Sequence, residues 1–144
     1  MRYLSKTRGS ILLMALLSGG CSARAQDVVI VANPGVQISE IKESDLRAIF
    51  TGEKTKFSDG THAVPVVLRG GPVHEVFLKR HLGESPDDFR ALWRKAVFTG
   101  QGAMPKSFDS ELALIEYITA TPGAIGYVSR IPPEDRVKSI TPLK

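Results

Sequence analysis

The sequence has 144 residues, of which 42% are hydrophobic and 24% charged, and it holds a single cysteine. Residues 1–25 contain four of the 19 basic residues and none of the 15 acidic ones, so the remaining 119 residues carry 15 of each. This balance argues against nucleic-acid binding, which usually needs a clustered basic face. A chain of 119 residues is enough for one domain that buries about two thirds of its unfolded surface, with no need of a disulfide or a metal.

The N-terminal segment has the features of a secretory signal peptide. Three basic residues precede a continuous apolar run over 11–17, which is too short to cross a bilayer as a helix. Small residues at Ala23 and Ala25 then form a cleavage site. We therefore predict that residues 1–25 are a signal peptide, that residues 26–144 form one domain, and that the protein is periplasmic or otherwise extracytoplasmic.

The same segment also resembles a lipoprotein signal, in which Cys21 would carry the lipid. Ser18 stands where that signal prefers leucine, and this favours soluble export. A membrane partner is expected only if Cys21 is lipidated. If cleavage follows Ala25, the exported chain keeps no cysteine and therefore has neither a disulfide nor a thiol nucleophile.

The first predicted element is a strand over 28–32, rich in β-branched residues and apolar on consecutive positions, which indicates a strand covered on both faces. A helix follows, with Ser39 and Ser44 as candidate N-caps. It carries an apolar stripe that starts at Leu46, and Gly52 ends it.

A second strand is predicted over 63–68, and Pro65 must lie near its start or on an edge because proline donates no ladder hydrogen bond. The helix predicted over 73–82 ends at Gly83. Ser85 then fits the N-cap of the next helix, with proline and two carboxylates in its first turn.

The third helix has one apolar face, with Phe89, Leu92, Trp93, Ala96 and Val97 at helical spacing, so Trp93 is predicted to lie in the core. The last long helix starts at Asp109 or Ser110. Leu112, Ile115 and Ile118 are predicted to point inward, and Leu114 and Tyr117 to widen this apolar stripe.

A proline–glycine pair, Pro122 and Gly123, closes that helix. A buried strand over 124–128 follows, with Gly126 at a position where a strand normally packs a side chain. A weaker strand is predicted over 137–140. Because strands alternate with helices, the sequence favours a three-layer α/β domain over a bundle or a sandwich.

Most chemistry-bearing patterns are missing. The three histidines are scattered and are predicted to lie on the surface, and His74 and His81 are seven residues apart, too far for two ligands of one ion on a helix. No nucleophile elbow or P-loop is present. We therefore expect no enzymatic activity, no metal and no cofactor.

One connection could bind an anion. Arg69, Gly70 and Gly71 link the end of a predicted strand to the start of a helix, and His74 lies in the first helical turn. Two glycines allow backbone N–H groups to converge, the helix N-terminus is partly positive, and an arginine adds a fork-shaped donor. Open α/β sheets usually place ligands beyond strand ends. A flexible connection with a surface arginine is the alternative interpretation.

A series of short motifs follows in a specific order along the chain. The segments are 46–52, 57–60, 64–66, Phe77 and Leu78, Leu82 and Gly83, 92–94, 97–100 and 122–128. This series resembles one in the phosphate-type periplasmic substrate-binding proteins, which carry a similar "IF-x-G-K…DG…PV" succession. The resemblance extends from about Val28 to the C-terminus.

This resemblance implies a type 2 periplasmic-binding-protein-like α/β fold and the uptake of phosphate or a related oxyanion with an ABC transporter. Two departures matter. The family closes two lobes over its ligand, whereas 119 residues suffice for little more than one. The family's hydroxyl-rich phosphate loop would fall at residues 69–74, where this sequence has no serine or threonine.

Two functions therefore remain open at the level of the sequence. The first is an exported solute-binding-protein-like domain that binds phosphate or a related oxyanion through Arg69, Gly70, Gly71 and His74, with an ABC transporter permease as partner. The second is an envelope accessory domain that keeps the fold, has lost the ligand and binds another envelope protein.

Overall fold

The computed structural model describes residues 27–133 and 135–144, so the predicted signal peptide, Cys21 included, lies outside the described residues. Helix α2 continues directly into a π-helical turn, Leu78–Leu82. The strands are β1 (Val29–Ala32), β2 (Glu40–Lys42), β3 (Val64–Leu68), β4 (Lys106–Phe108), β5 (Ala124–Val128) and β6 (Lys138–Leu143). The helices are α1 (Glu43–Thr51), α2 (Pro72–Phe77), α3 (Pro86–Phe98) and α4 (Glu111–Ala120).

The six strands form one mixed sheet in the order β2-β6-β1-β5-β3-β4. Strand β1 pairs antiparallel with both β5 and β6, while β3 pairs parallel with β4 and β5, and β2 pairs parallel with β6. Within the described residues, β1 is thus the one strand that runs against the others. Consequently β3, β4 and β5 all end at the same edge of the sheet, which we call the carboxyl edge, and begin at the opposite amino edge.

Helices cover both faces of this sheet. Because neighbouring side chains of a strand point to opposite faces, Gly126 faces helix α4, whereas Tyr127 faces the aromatic rings of α1 and α2. Strands β1 and β5 are buried over nearly all their residues, as their continuous apolar runs predict. The predicted three-layer α/β arrangement is confirmed.

Gly126 allows helix α4 to lie directly on the sheet. A Cβ atom at this position would approach the side chains of Ile118 and Leu114 on α4 to 2.9 and 3.2 Å, and that of Val66 to 3.1 Å. Real Cβ atoms essentially never come closer than about 3 Å, so the ends of these side chains would have to shift. The missing side chain therefore leaves room for Ile118 and Leu114 of α4 to pack directly on β5.

The local signals at the ends of helices are mostly confirmed. Gly52 and Gly83 end their helices with left-handed backbone, at φ 83° and 67°. Ser85 and Ser110 cap α3 and α4 by accepting hydrogen bonds from backbone N–H groups. Helix α1 is the exception, because it begins after Lys42, and neither Ser39 nor Ser44 caps it.

Other sequence predictions are wrong in detail. Strands β2 and β4 are too short to show a period, and they form because β6 and β3 offer backbone partners. Leu112 is 59% and Val97 49% exposed, because the buried stripe of α4 runs through Leu114 and Ile118 and the end of α3 extends beyond the core. Trp93 lies in the core, as predicted.

No helix in residues 27–133 or 135–144 has the length and apolar character needed to cross a membrane.

Candidate functional site

The candidate site lies at the carboxyl edge, where the chain leaves β3 and β4. The backbone N–H of Arg69 donates to the carbonyl oxygen of Phe108 at 2.8 Å, which extends the parallel pairing by one residue. Helix α2 begins after Gly71 and α4 after Ser110. Two helix N-termini and the loop at Arg69 are thus brought to one edge of the sheet.

Arg69 is exposed and already has a carboxylate partner. Its Nη1 lies 2.8 Å from Oδ1 of Asp109, and the two side chains are 64% and 76% exposed. Gly70 and Gly71 are exposed as well, and Gly71 has φ 96°, in the region that favours glycine. An approaching anion would therefore meet the guanidinium and this loop, but would compete with Asp109.

His74 points into the protein, away from this exposed surface. It is 5% exposed, and its Nδ1 lies 2.5 Å from the hydroxyl oxygen of Tyr127. That hydroxyl also accepts a hydrogen bond from the backbone N–H of Leu68 at 3.0 Å. The hydroxyl donates to Nδ1 in the tautomer that leaves this nitrogen unprotonated and accepts from it in the other tautomer, and in both cases it keeps a lone pair for the N–H of Leu68.

The electrostatics of this pair favour neutral groups. Burial lowers the pKa of His74; the carboxylate of Glu75 opposes this effect, and the charge of Arg90 adds to it. Burial likewise raises the pKa of Tyr127, against a smaller opposing effect of the hydrogen bond from Leu68. Both groups are therefore neutral at neutral pH, and their hydrogen bond holds the first turn of α2 against the ends of β3 and β5.

Aromatic packing fixes Tyr127 in that position. Its ring stacks on Phe77 with the centroids 3.8 Å apart, and Phe77 in turn meets Phe50 edge-on at 4.9 Å. The prediction that the histidines lie on the surface is thus wrong for His74. The side chain of His81 is only 7% exposed, and its Nδ1 lies 3.1 Å from the carboxylate of Glu43. The ring of His74 packs against Tyr127 and Phe89, and that of His81 packs against Phe77.

A second carboxylate lies at the same edge, where β5 ends. Glu111, the first residue of α4, accepts hydrogen bonds from the backbone N–H and from the hydroxyl group of Ser129. Its negative charge also suits the positive end of the helix. Two donor positions at the carboxyl edge, Arg69 and Ser129, are thus occupied by the protein's own carboxylates.

The structure brings together only part of the predicted site. Arg69, Gly70 and Gly71 share one exposed surface, whereas His74 supports it from inside. Gly123 lies at the amino edge, where it packs against the backbone of His62. Sequence reasoning missed Asp109, Glu111 and Tyr127. The parallel pairing of β4 with β3 would have placed Asp109 beside Arg69, but a three-residue strand gives no usable signal.

The described residues contain no group of three or more histidine, cysteine, aspartate or glutamate side chains arranged to hold a metal ion.

Comparison with known proteins finds similarity at the level of the fold only. No protein-family model matches the chain, and no curated protein does. Among solved structures, the Clostridium perfringens substrate-binding protein assigned to a phosphate ABC transporter, with phosphate bound, is 14% identical with a TM-score of 0.63. An ABC-type phosphate transport receptor from Vibrio cholerae is 14% identical with a TM-score of 0.54, and PstS from Borrelia burgdorferi is 14% identical with a TM-score of 0.57.

The matches extend over 81% of this chain but over only 44%, 46% and 47% of those three proteins. The chain therefore spans less than half the length of the structures it resembles. Its fold is the α/β fold of the periplasmic-binding-protein-like domains, and the partial coverage corresponds to a single lobe.

Proposed function

We propose that this chain is an exported, non-enzymatic domain that binds phosphate or a related small oxyanion at the carboxyl edge and works with an ABC transporter in the extracytoplasmic space. The exposed guanidinium of Arg69 carries the proposal, because it lies beside two exposed glycines at the edge where open α/β sheets bind ligands. The likeness to phosphate-binding proteins supports the ligand class.

The proposed binding reaction is an exchange of anions at Arg69. A tetrahedral oxyanion would take the place of the Asp109 carboxylate and accept a fork of two N–H groups from the guanidinium. Exposed ion pairs of this kind contribute only about 0–1 kcal/mol, so Asp109 is displaced at little cost. His74 acts from inside the protein by holding the start of α2 in place.

Isothermal titration of the purified protein with phosphate and with sulfate tests this proposal. We expect measurable heat for at least one oxyanion and a loss of affinity of at least about tenfold in Arg69→Gln, which removes the only charged donor of the loop. Arg47→Gln is the matched control, because Arg47 is also an exposed arginine (55%) in a long ion pair with a glutamate. If the protein binds neither anion, or if both variants bind alike, the proposal is wrong.

The Asp109→Asn variant sharpens the test, since it removes the competing charge and keeps the size of the side chain. If Asp109 acts as a competitor, phosphate binding strengthens in this variant, by about tenfold for a free-energy gain near 1.4 kcal/mol. A weaker affinity would instead mean that Asp109 orients the guanidinium for its ligand. The two results assign opposite roles to the same carboxylate.

A second candidate function is an envelope accessory domain without a ligand. Two observations favour it: Asp109 and Glu111 already occupy the donors at the carboxyl edge, and the chain spans less than half of the two-lobed proteins it resembles. Cross-linking of the protein in envelope preparations should then capture one defined partner, and titration should show no oxyanion affinity. Oxyanion binding by a protein that captures no partner would contradict this candidate.

A further inference from the structure

The amino edge of the sheet holds a cavity that the oxyanion proposal does not use. It has a volume of about 320 Å³ and lies beside the first residues of β3 and β4, Val64, Pro65 and Lys106. Volumes of about 300–1,000 Å³ are typical of small-molecule sites. Because β3 and β4 are parallel, this cavity and Arg69 lie at opposite edges of the sheet.

Trp93 forms a fixed wall of this cavity. Its side chain is 3% exposed, and its indole N–H donates to the carbonyl oxygen of Phe50 at 3.0 Å. A Cβ atom at Gly52 would lie only 2.8 Å from the indole ring, and one at Gly102 would lie 3.4 Å from it. The backbones of the two glycines therefore pack directly on the ring, so that only the small part of the indole that lines the cavity can contact a ligand.

The ionisable residues that line the cavity are Lys54, His62 and Lys106, and none of the lining residues is acidic. Lys54 reaches Asp45 at 2.9 Å, and the ammonium group of Lys106 lies 4.8 Å from the ring centre of Tyr117. Both ammonium groups thus have partners outside the cavity, and the carboxylate of a ligand would compete with Asp45 for Lys54. The lining favours an anionic or neutral ligand and disfavours a cation.

Two helices end beside this cavity, and their negative ends would oppose an anion if their carbonyl groups were bare. Several of these carbonyls are instead satisfied by the backbone of the following loops. Ile49 and Ala48 accept from the N–H groups of Gly52 and Lys54, and Val97 and Ala96 accept from those of Gly100 and Gln101. This leaves the lysines to set the sign of the local charge.

We propose that this cavity binds a small organic carboxylate with an apolar body, such as an aromatic acid. The apolar body lies against Trp93 and Met104, and the carboxylate lies at the side of Lys54 and His62. The site is separate from the oxyanion site at Arg69, so one protein would bind two anions of different chemistry at opposite edges of its sheet.

Fluorescence titration of Trp93, the only tryptophan in the sequence, tests the proposal directly. Benzoate is the probe, with benzamide and benzylamine as neutral and cationic molecules of the same shape and inorganic phosphate as an anion without an apolar body. We expect saturable quenching by benzoate with a dissociation constant of about 1 mM or tighter, and binding at least about tenfold weaker for the other three probes. Equal binding of benzamide, or no saturable change with benzoate, overturns the proposal.

Gly102→Leu places a side chain in the cavity mouth without forcing a backbone change, since its Cβ would be in ordinary contact with Trp93. We expect this variant to lose benzoate binding by at least about tenfold. Ala91→Leu is the matched control, because Ala91 is exposed on α3 and does not line the cavity. Lys54→Gln keeps the cavity and removes a charge, so it should weaken benzoate but not benzamide. If Gly102→Leu and Lys54→Gln both bind benzoate as the unaltered protein does, the ligand is bound elsewhere and the proposal is wrong.

Discussion

The carboxyl and amino edges are formed by the two ends of the same three parallel strands, β3, β4 and β5, but different interactions hold them together. At the carboxyl edge, polar donors are satisfied by nearby carboxylates, in the pairs Arg69–Asp109 and Ser129–Glu111. At the amino edge, the chain is held by close backbone contact, with Gly123 against His62 and an indole between two glycines. At the carboxyl edge a ligand can replace a carboxylate partner, whereas at the amino edge the close packing of the backbone fixes the structure.

This contrast predicts that substitutions at the amino edge cost more stability than substitutions at the carboxyl edge. Exposed ion pairs contribute about 0–1 kcal/mol, whereas a backbone overlap can be relieved only by moving a chain segment. Three measurements of unfolding test this prediction.

Gly123→Ala should have the largest effect. Its Cβ would overlap the carbonyl oxygen of His62, and its φ of 77° is itself unfavourable for alanine. We expect a loss of more than about 3 kcal/mol in the free energy of unfolding by urea. Gly60→Ala is the control, because Gly60 has φ 87° but nothing within 4 Å of a Cβ, so it should lose only about 1–2 kcal/mol. Equal losses would show that backbone strain alone matters at Gly123.

Tyr127→Phe tests the buried support of the carboxyl edge. It leaves the backbone N–H of Leu68 without its acceptor and Nδ1 of His74 without its hydrogen-bond partner, while the ring stacking on Phe77 is kept. Removal of one partner from buried hydrogen bonds costs about 1–3 kcal/mol. Tyr117→Phe, a partly buried tyrosine whose ring faces Lys106, should change the stability much less. If Tyr127→Phe leaves the free energy of unfolding unchanged, aromatic packing alone holds α2 at this edge.

We expect the smallest change in the free energy of unfolding when the pH is lowered. This change follows from the lowered pKa of His74. Above the ordinary histidine pKa of about 6.5, His74 is neutral in both states and stability is complete. As the pH falls below that value, the unfolded chain takes up a proton that the folded protein resists, so stability decreases by at most about 1.4 kcal/mol per pH unit until the folded pKa is reached.

Urea unfolding between neutral and mildly acidic pH measures this slope. His74→Gln should flatten it, whereas His62→Gln, at an exposed histidine, should leave it unchanged. A slope that survives in His74→Gln would assign the pH dependence to other groups.

Local sequence signals predicted where most helices begin and end. Gly52, Gly83, Ser85 and Ser110 act through their own backbone conformation or through one hydrogen bond within a turn. Such effects depend on neighbours within four residues, so they are visible in the sequence. The same reasoning found the buried strands β1 and β5, whose apolar runs are continuous.

The candidate site was predicted only in part, because its contacts join residues that are far apart in the sequence. The sequence pointed to Arg69, Gly70 and Gly71 from turn chemistry, but the partner of Arg69 is the residue that follows β4, 40 residues away in the chain. The burial of His74 likewise depends on Tyr127, 53 residues further on. Contacts of this separation are decided by strand order, and two of the six strands were too short to be recognised.

Because periodicity and capping are local, the α/β class, the residues at which most helices end and a core that contains Trp93 could all be predicted from the sequence. Strand order, in contrast, decides which residues become partners: β4 beside β3 joins Asp109 to Arg69, and β5 beside β3 joins Tyr127 to His74 and Leu68. The folded structure also decides that Gly126 serves the packing of α4 and that Gly123 serves a backbone contact. Each of these contacts depends on the position of a chain segment that is distant in the sequence, and that position is fixed only when the whole sheet folds.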